Sequence, residues 1–491
     1  MNVLIIGGYP PMEIPDLDEF GALLLPSMIP AMFSNKDRVF FSLPTLGSVV
    51  VGTYLQQHGV EVTIKDFYLD EINTRDADIV GISSSFMMGI DHVREVVKTV
   101  KQQNPAATVI MGGPLSWSIS PSEILEAIPD LDIIVRREGE ATFLELVQAL
   151  RTGATLDGVQ GIFFRREGEI VETPSRPFLP VTDLLSPDWS LMDLRLGTSR
   201  MRLLPVETSR GCVYNCVYCS EVHYWDKPVR FKPLKAVVEE IRRNVKQCGV
   251  STFRFVDSCF SAPPQRCAEV CDAIYDGCIR EGLDIKWSSY ARVSNLTIDL
   301  LEKMKRAGCV ALDIGAESGD PHMLQQMYRR DYSPQEIIEV ARRGRAVGIL
   351  IHYNFVVGFP GETEETIQNT IRVIEEAQPD SYACFLLFLA PNTTLHKEQE
   401  KFAITGGGLS WRHATMTSEE AGRAMLEIYR STSANLFPGG EYIAGFLTSL
   451  GYSIDEIREF FAAANRMARG ATDQETMTVV EKASQSMNPF L

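Results

Sequence analysis

Cysteine is absent from the first 211 residues; all ten cysteines of the chain lie from Cys212 onward. Disulfides and thiolate chemistry are therefore excluded from that part of the protein. An excess of positive charge is also missing. The net charge is −17, so bulk electrostatics offers nothing to nucleic acid or an anionic membrane. No long apolar run occurs: the longest, Phe20 to Phe33, is broken by Pro26 and Pro30 and is too short to span a bilayer. Neither a G-x-G-x-x-G fingerprint nor a P-loop is present, which argues against an ordinary dinucleotide or ATP. The opening Met1-Asn2-Val3-Leu4-Ile5-Ile6-Gly7 reads as a strand rather than a signal peptide. A cytoplasmic protein with buried thiols is expected.

What is present is alternation. In residues 1–150, apolar runs at Val3–Ile6, Val60–Asp66, Ile79–Ser83, Val109–Met111 and Ile133–Val135 alternate with helical segments. That spacing predicts a doubly wound, Rossmann-like parallel sheet. Ligands of such sheets lie beyond the carboxyl ends of the strands. Those ends carry Gly7-Gly8-Tyr9-Pro10, Ser83-Ser84-Ser85, Gly112-Gly113-Pro114 and Glu138-Gly139-Glu140. Ser120-Pro121-Ser122-Glu123 reads as a capping box. Residues 151–200 read as a linker containing a small hairpin around Glu167-Gly168. From Leu204 a second alternation of six strands and helices predicts a partial (β/α)6 TIM barrel over 201–400, with its chemistry at the strands' carboxyl ends. Residues 401–491 read as a helical C-terminal domain. Further capping boxes are expected at Ser333 and Ser453.

The chain also lacks a fourth cysteine beside Cys212, Cys216 and Cys219. A structural zinc site closes with four ligands, and a cubane iron–sulfur cluster is commonly held by four cysteines. Three thiolates on one loop after a barrel strand leave one iron of a [4Fe–4S] cluster open to a substrate or cofactor. A zinc site completed by His223, or plain buried cysteines, are the alternatives.

Arg210-Gly211-Cys212-x3-Cys216-x-Tyr218-Cys219 resembles the signature of the radical S-adenosylmethionine superfamily. Phe253 to Asp257, Gly315-Ala316-Glu317-Ser318-Gly319 and Asn354 to Thr363 resemble its later strand elements. Residues 1–150, with "PTLGSVVVGTYLQQHGVEVTIKDF", are similar to the cobalamin-binding domain that precedes the barrel in one large subclass, the class B radical methylases. The resemblance implies three cofactors: a [4Fe–4S] cluster on Cys212, Cys216 and Cys219, S-adenosylmethionine, and cobalamin. It implies S-adenosylmethionine contacts for Tyr218, Asp257, Arg292, Glu317, Gly358 and Pro360, with Asp257 accepting from the methionine ammonium and Arg292 pairing with its carboxylate. For cobalamin it implies Tyr9, Pro10, Ser83, Ser84, Ser85, Met87, Gly112, Gly113, Pro114, Glu138 and Gly139. Asp-x-His-x-x-Gly, whose histidine replaces the lower axial base in some cobalamin proteins, does not occur in the first 200 residues; the subclass generally does without it, and the resemblance implies a base-off cobalt with Ser83 to Met87 near its lower face.

Asp313, Gly315 and Glu317 alternate onto one face of their strand. Cys267, Cys271 and Cys278 share a helical stripe and read as core, as do Cys309 and Cys384. Tyr224 and Trp225 could face substrate, and the long apolar segment from Pro11 to Asn35 could line its cavity. The implied function is methylation of an unactivated carbon of a small molecule through a 5′-deoxyadenosyl radical, with flavodoxin or ferredoxin as electron donor. A non-methylating radical cyclase or rearrangement enzyme is the alternative, and a corrinoid carrier or sensor a more distant one.

Overall fold

Short β-branched runs build the first sheet. Val3–Gly7 (β1), Val62–Asp66 (β2), Ile79–Ser83 (β3), Thr108–Gly112 (β4) and Ile133–Val135 (β5) are parallel and lie in the order 2-1-3-4-5. The computed structural model describes residues 1–8, 12–13, 38–39, 44–84, 89–196, 199–200, 202–225, 228–437, 440–471 and 473–487. β1, β3, β4 and β5 are buried almost throughout, as strands covered on both faces must be. Leu46–Gln57 (α1) and Glu140–Thr152 (α4) flank Ile90–Gln103 (α2) and Pro121–Ala127 (α3) in the chain. Val93, Val96, Val97 and Val100 of α2 and Ile124 and Leu125 of α3 pack on Leu4, Ile6, Val80, Ile82, Val109 and Met111. The change of direction in this strand order falls between β1 and β3, where a doubly wound sheet takes its ligand.

Two expectations for this region change. The hairpin Ile162–Arg166 (β6) and Glu169–Glu172 (β7) is not part of a free linker. It extends the sheet to seven strands, β6 pairing antiparallel with β5. Its residues Ile162, Phe163 and Phe164 are buried, and burying them against β5 is what draws the hairpin in. Ser120 precedes α3 but makes no side-chain cap. Its φ of −59° is less extended than the −116° of Ser333, whose hydroxyl reaches the Glu336 amide at 3.4 Å.

Outside residues 13–39, the chain divides between Met201 and Arg202 into two compact units. In the second unit, Leu203–Val206 (β8), Thr252–Phe255 (β9), Lys286–Arg292 (β10), Cys309–Glu317 (β11), Leu350–Val357 (β12) and Ser381–Leu386 (β13) form a six-stranded parallel sheet in chain order. Leu234–Arg243 (α5), Pro264–Ile274 (α6), Ile298–Arg306 (α7), Pro334–Val347 (α8) and Glu364–Ala377 (α9) connect them. Such sequential parallel order is that of an open, partial barrel.

Register sorts these strands into two faces. Phe253, Phe255, Trp287, Ile314, Ile351, Tyr353 and Phe355 lie on one face, all fully buried. The opposite, inner face carries Arg254, Tyr290, Asp313, His352, Asn354 and Ser381. After the hairpin Thr405–Gly407 (β14) and Ser410–Arg412 (β15), the chain is helical: Ser418–Ser431 (α10), Gly440–Ser449 (α11), Ile454–Ala468 (α12) and Gln474–Met487 (α13). Capping boxes close the starts of α8, α9, α10 and α12. α11 packs on the inner face, across β8 to β12. Tyr442 in α11 meets Tyr290 hydroxyl to hydroxyl at 3.1 Å, and the Arg254 guanidinium stacks 4.1 Å from the Tyr290 ring and 5.0 Å from that of Tyr442. A polar, buried inner face thus gets its partners from a helix far along the chain. Among the described residues no helix is long and apolar enough to cross a membrane.

Candidate functional site

The loop after β8 holds Cys212, Cys216 and Cys219. Its entry is fixed by Asp257, at the carboxyl end of β9. The Asp257 carboxylate accepts from the Thr208 amide at 3.1 Å, from the Thr208 hydroxyl at 2.7 Å and from the Ser209 hydroxyl. Asp257 is only 1% exposed. The expected role of accepting a methionine ammonium therefore meets a carboxylate already engaged in holding the loop. Ser209–Arg210 then pairs with Arg230–Phe231, bracketing the cysteines. Inside the bracket, the Cys219 amide donates to the Cys216 carbonyl at 3.2 Å.

The thiols are short of positive charge. Burial pushes the Cys212 thiol up, and burial with Glu221 and Cys216 nearby pushes Cys219 up to about 12. Three thiolates here need a cationic centre, which suits the donor set of an iron–sulfur cluster. Two arginines among the described residues do act on them: Arg329 pulls the Cys212 thiol down against burial, and Arg292 reaches Cys216. Arg292, at the carboxyl end of β10, lies 3.5 Å from the Cys216 sulfur. It is held by a two-pronged pair with Asp331, one arm at 2.8 Å, and stacks 3.8 Å from the Tyr214 ring. The expected partner of Arg292 is a methionine carboxylate; in this structure its pairing is with Asp331. Among the described residues, no group of three or more His, Cys, Asp or Glu side chains is gathered as a single-ion site would need. A cubane is held by thiolates on different irons, so its ligands need not converge on one point.

Beside the cysteines, the Tyr218 hydroxyl accepts from Arg329 at 2.9 and 3.1 Å, and Arg329 also pairs with Glu317. Burial and that pairing oppose each other at Arg329, and the anionic neighbours win: its pKa is raised. Simple alternation does not bring Glu317 here. A bulge between Gly315 and Glu317 shifts the register, and Glu317 takes a left-handed φ of 62°. Bulges of this kind re-aim a side chain, and strained non-glycine backbone concentrates at functional sites. Gly315 makes room, since a Cβ there would collide with Glu317 Oε1. The turn Gly358-Phe359-Pro360-Gly361 follows β12. The Phe359 ring stands edge-on to Tyr218, centroids 6.4 Å apart.

Tyr224 and Trp225 are packed rather than open. Tyr224 is buried, and the Trp225 indole donates to Glu221 at 2.9 Å. Cys267, Cys271, Cys278, Cys309 and Cys384 are all buried. Sequence reading missed Tyr214, Arg329 and Asp331. Tyr214 was visible inside the cysteine loop; Tyr328-Arg329-Arg330-Asp331 looks like an ordinary charged loop, and no local signal marks it.

In the first unit, small residues crowd the strand ends at the β1/β3 switch point. A Cβ on Gly7 would collide with Thr45 Oγ1, and one on Gly47 would lie 3.2 Å from Ser83 Oγ. Ser84 ties two strand ends together, its hydroxyl donating to the Gly112 carbonyl at 2.8 Å and accepting from the Leu115 amide at 3.2 Å. Gly113 has φ 101° and abuts Ser84; Pro114 begins the next turn as the N-cap of Leu115–Ser118. Glu138 accepts from the Leu179 amide at 2.7 Å, and Gly139 caps α4. Side-chain-poor strand ends of this kind fit a broad, flat ligand. Tyr9, Pro10, Ser85, Met87 and nearly all of the Pro11 to Asn35 segment lie outside the described residues.

The family model "Radical SAM superfamily" matches residues 206–374, and "B12 binding domain" matches residues 36–147. An uncharacterized methyltransferase of Pyrococcus horikoshii is 29% identical over 72% of this chain and 78% of its own length. The anaerobic magnesium-protoporphyrin IX monomethyl ester cyclase of Rubrivivax gelatinosus is 27% identical over 64% of this chain, which spans 57% of that protein. Among solved structures, the radical S-adenosylmethionine methyltransferase TsrM from Kitasatospora setae matches with a TM-score of 0.68 at 18% identity, covering 96% of this chain and 99% of its own. The fold is that of a B12-binding sheet followed by a radical SAM barrel. The radical SAM domain implies a [4Fe–4S] cluster and S-adenosylmethionine, and the B12-binding domain implies cobalamin.

Proposed function

We propose that this radical SAM enzyme with a B12-binding domain methylates an unactivated carbon of a small molecule. The observation that carries the reading is the three-cysteine loop at the carboxyl end of β8, in one chain with the side-chain-poor strand ends of the first sheet. When bound, the cluster and S-adenosylmethionine supply a 5′-deoxyadenosyl radical, and cobalamin supplies a methyl carrier.

The protein's own residues bind, orient and exclude water. Cys212, Cys216 and Cys219 hold the cluster, with Arg292 donating toward Cys216. Tyr218, Glu317, Gly358 and Pro360, with Arg329 locking Tyr218 to Glu317, shape the S-adenosylmethionine site. Ser83, Ser84, Gly112, Gly113, Pro114, Glu138 and Gly139, at the strand ends of the first sheet, would hold cobalamin. The buried Asp257 fixes the start of the cysteine loop. A flavodoxin or ferredoxin would deliver the electron, and the thiols and cluster suit a reducing compartment such as the cytoplasm.

Similarity to the Rubrivivax cyclase favours one second reading, radical ring closure without methyl transfer. The experiment is anaerobic turnover of reconstituted protein with methylcobalamin, S-adenosylmethionine, a strong reductant and cell extract. 5′-Deoxyadenosine and S-adenosylhomocysteine rising together with extract support methylation. Deoxyadenosine alone turns the reading to cyclisation or rearrangement, and neither product with substrate-active extract defeats both.

A further inference from the structure

The turn Gly358-Phe359-Pro360-Gly361 is gripped by a segment outside the cofactor signatures. Gly358 has φ 93°, and a Cβ there would collide with the Trp411 ring. Trp411, on β15, is itself anchored, its indole N–H donating to the Leu387 carbonyl at 2.7 Å. His413 stacks on Trp411, ring planes 10° apart and centroids at 5.2 Å. His413 Nε2 lies 3.1 Å from the Gly358 carbonyl oxygen. A carbonyl only accepts, so Nε2 carries the proton and Nδ1 is left as an acceptor. Thr415 meets that nitrogen with its hydroxyl at 3.2 Å and its amide at 3.4 Å. The same hydroxyl accepts from the Gly361 amide at 3.2 Å. On the other side, Phe359 sits between Tyr218 and Phe402, centroids 6.4 and 6.3 Å away.

The turn is therefore clamped between the cysteine loop and the residues 411–415. Gly358 has no side chain to set its own peptide plane. Its N–H, in the peptide shared with Val357, is taken by the Glu362 carboxyl group, and its carbonyl, in the peptide shared with Phe359, by His413. Loss of the His413 bond would free the 358–359 peptide plane to rotate and would carry Phe359 relative to Tyr218.

We propose that His413 and Thr415, backed by Trp411, are positioning residues that hold this turn in the geometry that binds S-adenosylmethionine. The inference rests on the assignment of Gly358 and Pro360 to that cofactor. Burial lowers the pKa of His413, which keeps the ring neutral, with one donor and one acceptor nitrogen as the clamp requires.

The test uses the full chain, reconstituted anaerobically, with S-adenosylmethionine as the probe. Equilibrium dialysis gives its affinity, iron analysis gives cluster content, and reductive cleavage gives KM and kcat. H413L should weaken binding about 10-fold and T415V about 3-fold, in line with one or two lost hydrogen bonds. The loss should fall on KM more than on kcat, with iron content unchanged. H413Q, whose side-chain amide can donate in place of Nε2, should stay within about 2-fold of wild type. Wild-type affinity in H413L and T415V overturns the proposal, as does an H413Q defect equal to that of H413L. If H413L does not fold, T415V decides, since Thr415 is exposed. A wild-type protein that binds no S-adenosylmethionine defeats the cofactor assignment itself, and the positioning role with it; binding by wild type and variants alike defeats only the latter.

Discussion

Arg292 Nη1 lies 3.5 Å from Cys216 Sγ, although 76 residues separate them. The guanidinium is 2% exposed and the cysteine 6%. A buried cation donating to a would-be cluster ligand stabilises added negative charge, and hydrogen bonds to cluster sulfurs tune reduction potential. R292M should therefore lower the cluster's midpoint potential, on the order of 50 mV for one lost charge-assisted bond. An EPR-monitored redox titration measures it. An unchanged potential would remove Arg292 from the electronic role.

Replacing Cys212, Cys216 or Cys219 singly with serine should cut bound iron from roughly four per chain to background and abolish reductive cleavage. C267S is the contrast. Cys267 is buried in α6 with Cys271, so that variant should lose stability but keep its iron. Iron analysis and EPR on the four variants separate the two groups of thiols.

Glu362 gives a pH signature. Burial pushes its carboxyl up from the ordinary 4.5 to about 8, against the pull of the Gly358 and Phe359 amides. Between these values the folded chain binds the proton more tightly than the unfolded one. Its contribution to stability is therefore full below about 4.5 and is lost as pH rises toward 8. E362Q cannot ionise. From pH 5 to 8, wild type should lose stability relative to E362Q by as much as about 4 kcal/mol, at ~1.4 kcal/mol per pKa unit. Urea unfolding at several pH values tests this; parallel curves for the two proteins would refute it.

Arg254 and Asp313 form an ion pair at 3.0 Å on the inner face, 0% and 3% exposed. Removing Arg254 takes the buried counter-charge from Asp313, which still accepts from the Asn354 side-chain amide. R254M should cost about 3–5 kcal/mol, while R254M/D313L should recover much of that loss. A double-mutant cycle in denaturant reads the difference, and additive losses would show that the two residues do not act as a pair.

Local chemistry made much of this protein legible in its sequence. Strand–helix alternation gave two parallel sheets, because period and punctuation are properties of short segments. The spacing of Cys212, Cys216 and Cys219 is a property of one loop. Ser333 and Ser453 cap their helices as read, whereas Ser120, with the same local pattern, makes no side-chain cap.

Tertiary structure decided what depends on partners distant in the chain. The hairpin Ile162–Glu172 joined the first sheet because its apolar face found β5. Glu317 left its expected alternation at a bulge, and met an arginine whose own stretch looked like surface. Asp257 was drawn to Thr208 and Ser209, 49 and 48 residues away. His413 found its carbonyl 55 residues back, at Gly358. A sequence states which groups carry charge or can donate; which of them are desolvated together, and so must pair, is fixed only when the strands and helices pack.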